Sequence, residues 1–292
     1  MNIDITALFV CINDFAEAYL LSERQRQIEH NSSKKKRRDR EGLLSLGEML
    51  FIEVLYHFGH FKDFKRFYKY GICGELREYF GELPSYERFV ILKKRLFMPM
   101  TVLLHCVLGE KTGLYFADST PIKVCHNKRI NRNKVFKDYA ERGKSTMGWF
   151  YGLKLHIIFN QKGDIVAVKI TPGNTDDRKA LRQMVKGIQG KIYADKGYIG
   201  KDIFSELWQK GIHLITGIRK NMKNYLMPFI DKVLLRKRYI AETSFGVMKQ
   251  DMNLEHSRHR NPINAFISIL ACLVAYQFKT SKHKIKTNLI SA

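Results

Sequence analysis

Acidic residues are what this 292-residue chain is short of: 28 Asp and Glu stand against 51 Lys and Arg, a formal net charge of +23. A field this positive disfavours cationic partners and favours polyanions, of which phosphate backbones are the commonest inside a cell. Cysteine is sparse too. The five present (Cys11, Cys73, Cys106, Cys125, Cys272) are odd in number, widely spread and without a CxxC pair. That excludes a disulfide framework or zinc site of ordinary spacing and suits a reducing cytosol. No clean apolar run approaches the roughly 18 residues that cross a bilayer, and the longest, Ile267 to Phe278, reads as a buried helix. The N-terminal stretch carries Asp4 and no basic leader, so neither a secretion signal nor a membrane partner is expected. A P-loop, a dinucleotide fingerprint and a GxSxG elbow are all missing, which leaves ATPase, redox and serine-hydrolase roles without support. What remains is globular, 45% hydrophobic and 27% charged, with length for one or two domains and a sizeable core.

The charge is unevenly placed. Residues 1–110 hold 17 basic and 15 acidic side chains, whereas residues 111–292 hold 34 and 13. The second part therefore carries nearly all of the positive excess, which points to nucleic acid. An anionic membrane fits less well, because the charge is not gathered on one amphipathic helix.

The chain divides near residue 110. The first part reads as helical: Leu8, Cys11, Ile12, Phe15 and Tyr19 recur at helical spacing, Asn31 to Arg40 is a polar basic loop, and Leu43 to Tyr70 holds further helices with a break at Gly59. Pro84-Ser85 starts another helix with Ser85 as cap and Arg88, Lys93, Lys94 and Arg95 along it, a pattern that suits a helix-turn-helix reader of DNA. The second part alternates. Strands are expected over 113–117, 149–160 and 164–170, the last two joined by a turn at Asn160-Gln161-Lys162-Gly163. A helix over 174–188, capped by Asn174 or Thr175, is followed by a strand over 191–194, a helix over 201–210 and a strand over 213–216. Two long helices, 232–251 and 262–280, close the chain. This order implies an α/β fold with a mixed sheet flanked by helices.

Because acids are scarce in the second part, their positions carry information. Tyr115-Phe116-Ala117-Asp118 and Ile192-Tyr193-Ala194-Asp195 each end an apolar strand in Ala-Asp. Residues just past strand ends line the ligand crevice of an α/β sheet, so the two aspartates converge if their strands are neighbours. Two carboxylates facing a polyanion need a cation between, and hard oxygen ligands select Mg²⁺ or Mn²⁺. A pair of such ions serves in-line phosphoryl displacement and calls for a third acid. Glu242 is the candidate: at about 100° per residue it lies about 40°, and Lys249 about 20°, from Arg238 on one helix face. A plain surface pair of Arg238 with Glu242 is the competing reading of that helix alone. His256 and His259 lack zinc-spaced companions, and His156, alternating with Lys154, faces either the cleft or the core.

These motifs resemble those of the DDE transposases of bacterial insertion sequences. The resemblance rests on Phe116-Ala117-Asp118-Ser119-Thr120-Pro121, on Tyr193-Ala194-Asp195-Lys196-Gly197-Tyr198, and on Arg238, Glu242 and Lys249 at the spacing of a Tyr-Arg-Glu-Lys signature whose Tyr position here holds Leu235. Tyr151 to His156 and Pro172-Gly173-Asn174 resemble connecting segments of the same family. The resemblance implies a ribonuclease H-like catalytic domain over 111–292, preceded by a helical, helix-turn-helix-like DNA-binding region over 1–110. It implies a Mg²⁺-dependent endonuclease and strand transferase in which Asp118, Asp195 and Glu242 hold two ions. Its partners would be double-stranded DNA, both terminal inverted repeats and target, with a homodimer in the bacterial cytoplasm at the nucleoid. Arg238, Lys249, Lys154 and Lys196 are the implied DNA contacts, with Lys123, Lys128, Arg129 and Arg132 from the basic connection over 119–148. The alternatives are a nuclease or resolvase of this fold without strand transfer, and a non-catalytic DNA-binding regulator.

Overall fold

The computed structural model describes residues 4–30, 42–218, 222, 226–255 and 259–285. The basic loop expected at Asn31 to Arg40 and the histidine His256 lie outside them. The chain forms two compact units, the first of Met1–Val107, Asp251–Leu254 and Ile263–Thr280, the second of Leu108–Gln250, Glu255–Pro262 and Ser281–Ala292.

The first unit is helical. It contains α1 (Ile5–His30), α2 (Leu46–Leu55), α3 (Phe64–Arg66) running into a π-helical turn over Phe67–Glu75, α4 (Tyr86–Leu92), α5 (Phe97–Cys106) and α10 (Pro262–Phe278). Ser45 and Glu48 make a capping box at the start of α2. Ser85 caps α4 as the sequence predicts, accepting from the Arg88 N–H at 3.2 Å. Lys93, expected on a DNA-facing helix, is instead buried: its ammonium binds Glu53 and lies over the Phe64 ring. Burial holds the Glu53 carboxyl above its usual range despite that partner. By length and composition Ile5–Glu29 is long and apolar enough to cross a membrane, which the sequence reading did not pick out. Its apolar character is broken by Asp14 and Glu17, and it buries Leu8, Ile12 and Ala16 in this unit.

Among its described residues the second unit is built on six strands, β1 (Leu114–Cys125), β2 (Glu141–Ser145), β3 (Gly148–Asn160), β4 (Ile165–Pro172), β5 (Gly190–Ala194) and β6 (Ile212–Thr216). The order is β2-β3-β1-β5-β6, with β4 also on β3. β1, β5 and β6 are parallel and β3 runs against β1, so the sheet is mixed as expected. Strand alternation gives it two apolar faces. Tyr115, Ala117, Ile192 and Ala194 pack with α6 (Asp177–Met184) and α7 (Lys201–Gln209). Phe116 and Tyr193, stacked at 5.5 Å, pack with α8 (Phe229–Arg236) and α9 (Tyr239–Gln250).

Three local expectations change. β1 continues through Asp118 to Cys125, because β3 pairs with it over that whole length. The supposed long connection over 119–148 therefore holds a strand, a 3₁₀ turn (Asn127–Arg132) and β2. The helix expected over 232–251 breaks at Lys237-Arg238 into α8 and α9. α6 is capped by Asp176, which accepts from the Arg178 N–H at 2.8 Å, so the helix begins later than read.

Candidate active site

The two Ala-Asp repeats are placed side by side by register. β1 and β5 pair in parallel up to Ala117 opposite Ala194, and Asp118 and Asp195 follow that last pair. Alternation then sets direction. Asp118 has the parity of Phe116, so its side chain leaves the sheet on the face that α8 and α9 cover. Asp195 keeps extended backbone, with φ −72° and ψ 167°, before a 3₁₀ turn over Lys196–Tyr198.

The break between α8 and α9 delivers the third acid to the same place. Arg238 lies in the break and Glu242 in the first turn of α9. The Arg238 guanidinium is 2.8 Å from Glu242 Oε1, 3.6 Å from Asp118 Oδ2 and 3.8 Å from Asp195 Oδ1. The Arg238–Glu242 surface pair is thus present, but it is one side of a larger cluster. One cation touches three acids brought from three separate stretches of chain.

Burial sets the electrostatics. Asp118 is the most enclosed of the three, 18% exposed against 56% for both Asp195 and Glu242. Its carboxyl is pushed up to about 6, chiefly by burial. Its hydrogen bond from the Ser119 N–H and the charge of Arg238 oppose the rise, while Glu242 and Asp195 add to it. Among the described residues no three His, Cys, Asp or Glu side chains are gathered closely enough to enclose a metal ion. The donor set nevertheless suits one: three carboxylates, all hard oxygen ligands, face one guanidinium, so acid outnumbers base in the cluster.

The implied DNA contacts divide. Lys123, Lys128, Arg129, Arg132 and Lys196 are exposed. Lys249 donates to the Pro121 carbonyl at 2.7 Å and lies 3.3 Å from Glu255, whose other oxygen accepts from the Lys123 N–H. Lys154 donates to the Thr175 carbonyl and to Asp177. Both ammonium groups are therefore held by the protein.

Sequence reasoning missed Asp177, which lies within the helix expected over 174–188. On the opposite face of the sheet from the Asp118 side chain, Asp177 Oδ1 accepts from the Ser119 hydroxyl at 2.8 Å and from Lys154 at 3.3 Å, and lies 3.4 Å from His156 Nδ1. Burial opposes its ionisation, but these partners win and hold its carboxyl below the usual range. His156 is core-facing, bonded through Nε2 to Thr171. Tyr198, three residues past Asp195, is buried and bonded to Ser119; burial and the nearby acids push its hydroxyl far up. The signal was available. The scarcity of acids that singles out Asp118 and Asp195 applies equally to Asp177.

Comparison with known proteins bears on the family and the fold. A family model described as the transposase DDE domain matches residues 108–262. Among solved structures, the chain is similar to the piggyBac transposase in a synaptic complex with hairpin DNA, with a TM-score of 0.53 at 10% identity, covering 93% of this chain and 74% of that one. No curated protein sequence matches. The fold is thus that of a transposase catalytic core, and since the family match spans more than half of its length, this chain belongs to the DDE transposases.

Proposed function

We propose that Asp118, Asp195 and Glu242 are the acids with which this transposase cleaves a DNA strand and joins the freed 3′-hydroxyl to a target strand. The observation that supports this is the single guanidinium of Arg238 touching all three. The three carboxylates would hold two Mg²⁺ or Mn²⁺ ions, which when bound supply activation of the attacking oxygen and stabilisation of the leaving one. Ser119 N–H keeps the Asp118 carboxylate oriented. Arg238, placed beside all three acids, would pair with the non-bridging oxygens of the scissile phosphate and stabilise charge that develops there.

Around this centre, Lys123, Lys128, Arg129, Arg132 and Lys196 line the path of the DNA backbone. Lys249 and Lys154 act by holding β1 and α6 in place, since protein acceptors already bind their ammonium groups. The helical unit binds the terminal inverted repeats of a bacterial insertion sequence, and a homodimer brings two ends together at the nucleoid. Asp118→Asn, Asp195→Asn and Glu242→Gln are each expected to abolish Mg²⁺-dependent nicking and joining of labelled element ends, while anisotropy still reports end binding. Cleavage retained by any variant removes that residue from the site.

A further inference from the structure

The hairpin formed by β2 and β3 carries a feature that catalysis does not use. Lys144 pairs with Trp149 and Arg142 with Tyr151 across it, so Arg142, Lys144 and Trp149 share one face. The opposite face is buried through Gly143 and Phe150. A Cβ on Gly143 would sit 2.2 Å from the Gly173 carbonyl oxygen, so only glycine lets the ribbon seat there. On the open face the Trp149 indole, 52% exposed, has the Arg142 guanidinium 4.9 Å and the Lys144 ammonium 5.8 Å from its ring centre. Met147 at the tip is 90% exposed. The Asn127 side chain donates to the Trp149 carbonyl at 2.8 Å, which ties the hairpin to the basic turn carrying Lys128, Arg129 and Arg132.

Register relates this face to the acids. Asp118 pairs with Ile157 on β3, and Trp149 has the same parity as Ile157 with no bulge in β3 between them. The hairpin face and the Asp118 side chain therefore lie on one side of the sheet. Eight residues separate Trp149 from Ile157 along β3. At about 3.3 Å per residue that is roughly 26 Å, or about eight base pairs of duplex.

We infer that the β2–β3 hairpin is a ribbon that enters a groove of the DNA duplex about eight base pairs from the scissile phosphate, with Arg142 and Lys144 on the flanking phosphates and Trp149 and Met147 against the groove floor. A two-stranded ribbon fits the major groove. The two cations supply charge complementarity, and the indole supplies apolar contact that ions in solution cannot screen. This inference rests on the reading of the chain as acting on duplex DNA, and it commits to duplex rather than to a second copy of the protein.

The test uses the full chain with Trp208→Phe, which leaves Trp149 as the reporter of the two tryptophans, and a dye-labelled duplex. Saturating duplex is expected to quench and shift the Trp149 emission. Trp149→Ala should weaken binding about tenfold with an unchanged salt slope, since stacking and apolar contact release no counterions, whereas Trp149→Phe restores most of it. Arg142→Ala and Lys144→Ala should each lower the salt slope by about one. Duplex binding without any change in Trp149 emission or in the affinity of Trp149→Ala overturns the hairpin and leaves the DNA reading standing. Absence of duplex binding overturns both. Emission that changes with protein concentration and not with DNA gives the face to a second copy.

Discussion

Asp177 is one carboxylate linked through Ser119 to the stretches that carry Asp118 and Asp195, without touching either acid. Through the Ser119 hydroxyl it holds the residue whose N–H orients Asp118, and through Ser119 it reaches Tyr198, three residues from Asp195. Lys154 pairs with it from the neighbouring strand, where His156 Nδ1 lies 3.4 Å away. Groups that orient a ligand shell typically alter metal affinity or activity by about 10–100-fold when removed. Asp177→Asn keeps the shape and removes the charge. It is expected to lower strand cleavage by about that factor and to raise the Mg²⁺ concentration needed for half-maximal rate, with a thermal midpoint near that of the parent. Unchanged Mg²⁺ dependence alongside unchanged cleavage would reduce Asp177 to a helix-terminus residue. A loss that follows only from unfolding would show in the midpoint. At this scale chemistry and scarcity together single out Asp118, Asp195 and Glu242, which the structure gathers about Arg238. Nothing in the sequence signals the carbonyl partners of Lys249 and Lys154, because basic side chains in a basic chain do not announce which of them bind protein carbonyls.

α8 is held to the sheet by a polar clamp in an otherwise apolar layer. Its Asp231, 1% exposed, accepts from the Tyr193 hydroxyl at 2.6 Å and from Lys191 at 2.8 Å, both on β5. Burial disfavours the charged carboxylate, yet the two hydrogen bonds and the charge of Lys191 prevail and keep its pKa below the ordinary 3.8. A depressed carboxyl stabilises the fold fully above its unfolded value and loses that contribution as pH falls through the folded one. Asp231→Asn should therefore destabilise the second unit by about 1.5–3 kcal/mol near neutrality, the range for hydrogen bonds to a charged group. The gap between the melting temperatures of parent and variant should narrow as pH drops below about 4. A gap constant across that range would mean the charge is immaterial. Elements with strong local signals were readable: β3 and β4 from apolar runs about an Asn-Gln-Lys-Gly turn, and α7 and α10 from helical spacing. β1 beyond Asp118 was not, because Ser119, Thr120 and Pro121 have no strand pattern and only β3 makes them one. The α8–α9 break has no Gly or Pro to mark it. It follows from where Asp231 anchors α8 and where Leu234 and Ile240 must reach the core.

Over the whole molecule, the order of the chain and the composition of its units differ. Sequence suggests a helical first part ending near residue 110 and a catalytic part running to the end, yet α10 is gathered into the first unit with the 251–254 segment. The contacts there are intimate. Cys272 Sγ meets the Met252 carbonyl, Gln277 donates to the Val107 carbonyl at 2.7 Å and Asn264 to that of Val90. Ile267, Ala271, Leu273, Val274 and Ala275 are wholly buried, and full burial of each large aliphatic side chain is worth about 1.5–3 kcal/mol. That sum rivals the entire stability of an ordinary domain, about 5–15 kcal/mol. A fragment of residues 1–110 is consequently expected to lack a cooperative melting transition and to bind an apolar dye, despite holding most of the helices. Adding a peptide of residues 262–280 in trans should restore a sharp transition and reduce dye binding, whereas the same peptide with Leu273→Asp should not. A fragment that melts cooperatively alone would show that the helical part closes its own core, and that α10 joins it as an attachment rather than as a structural member.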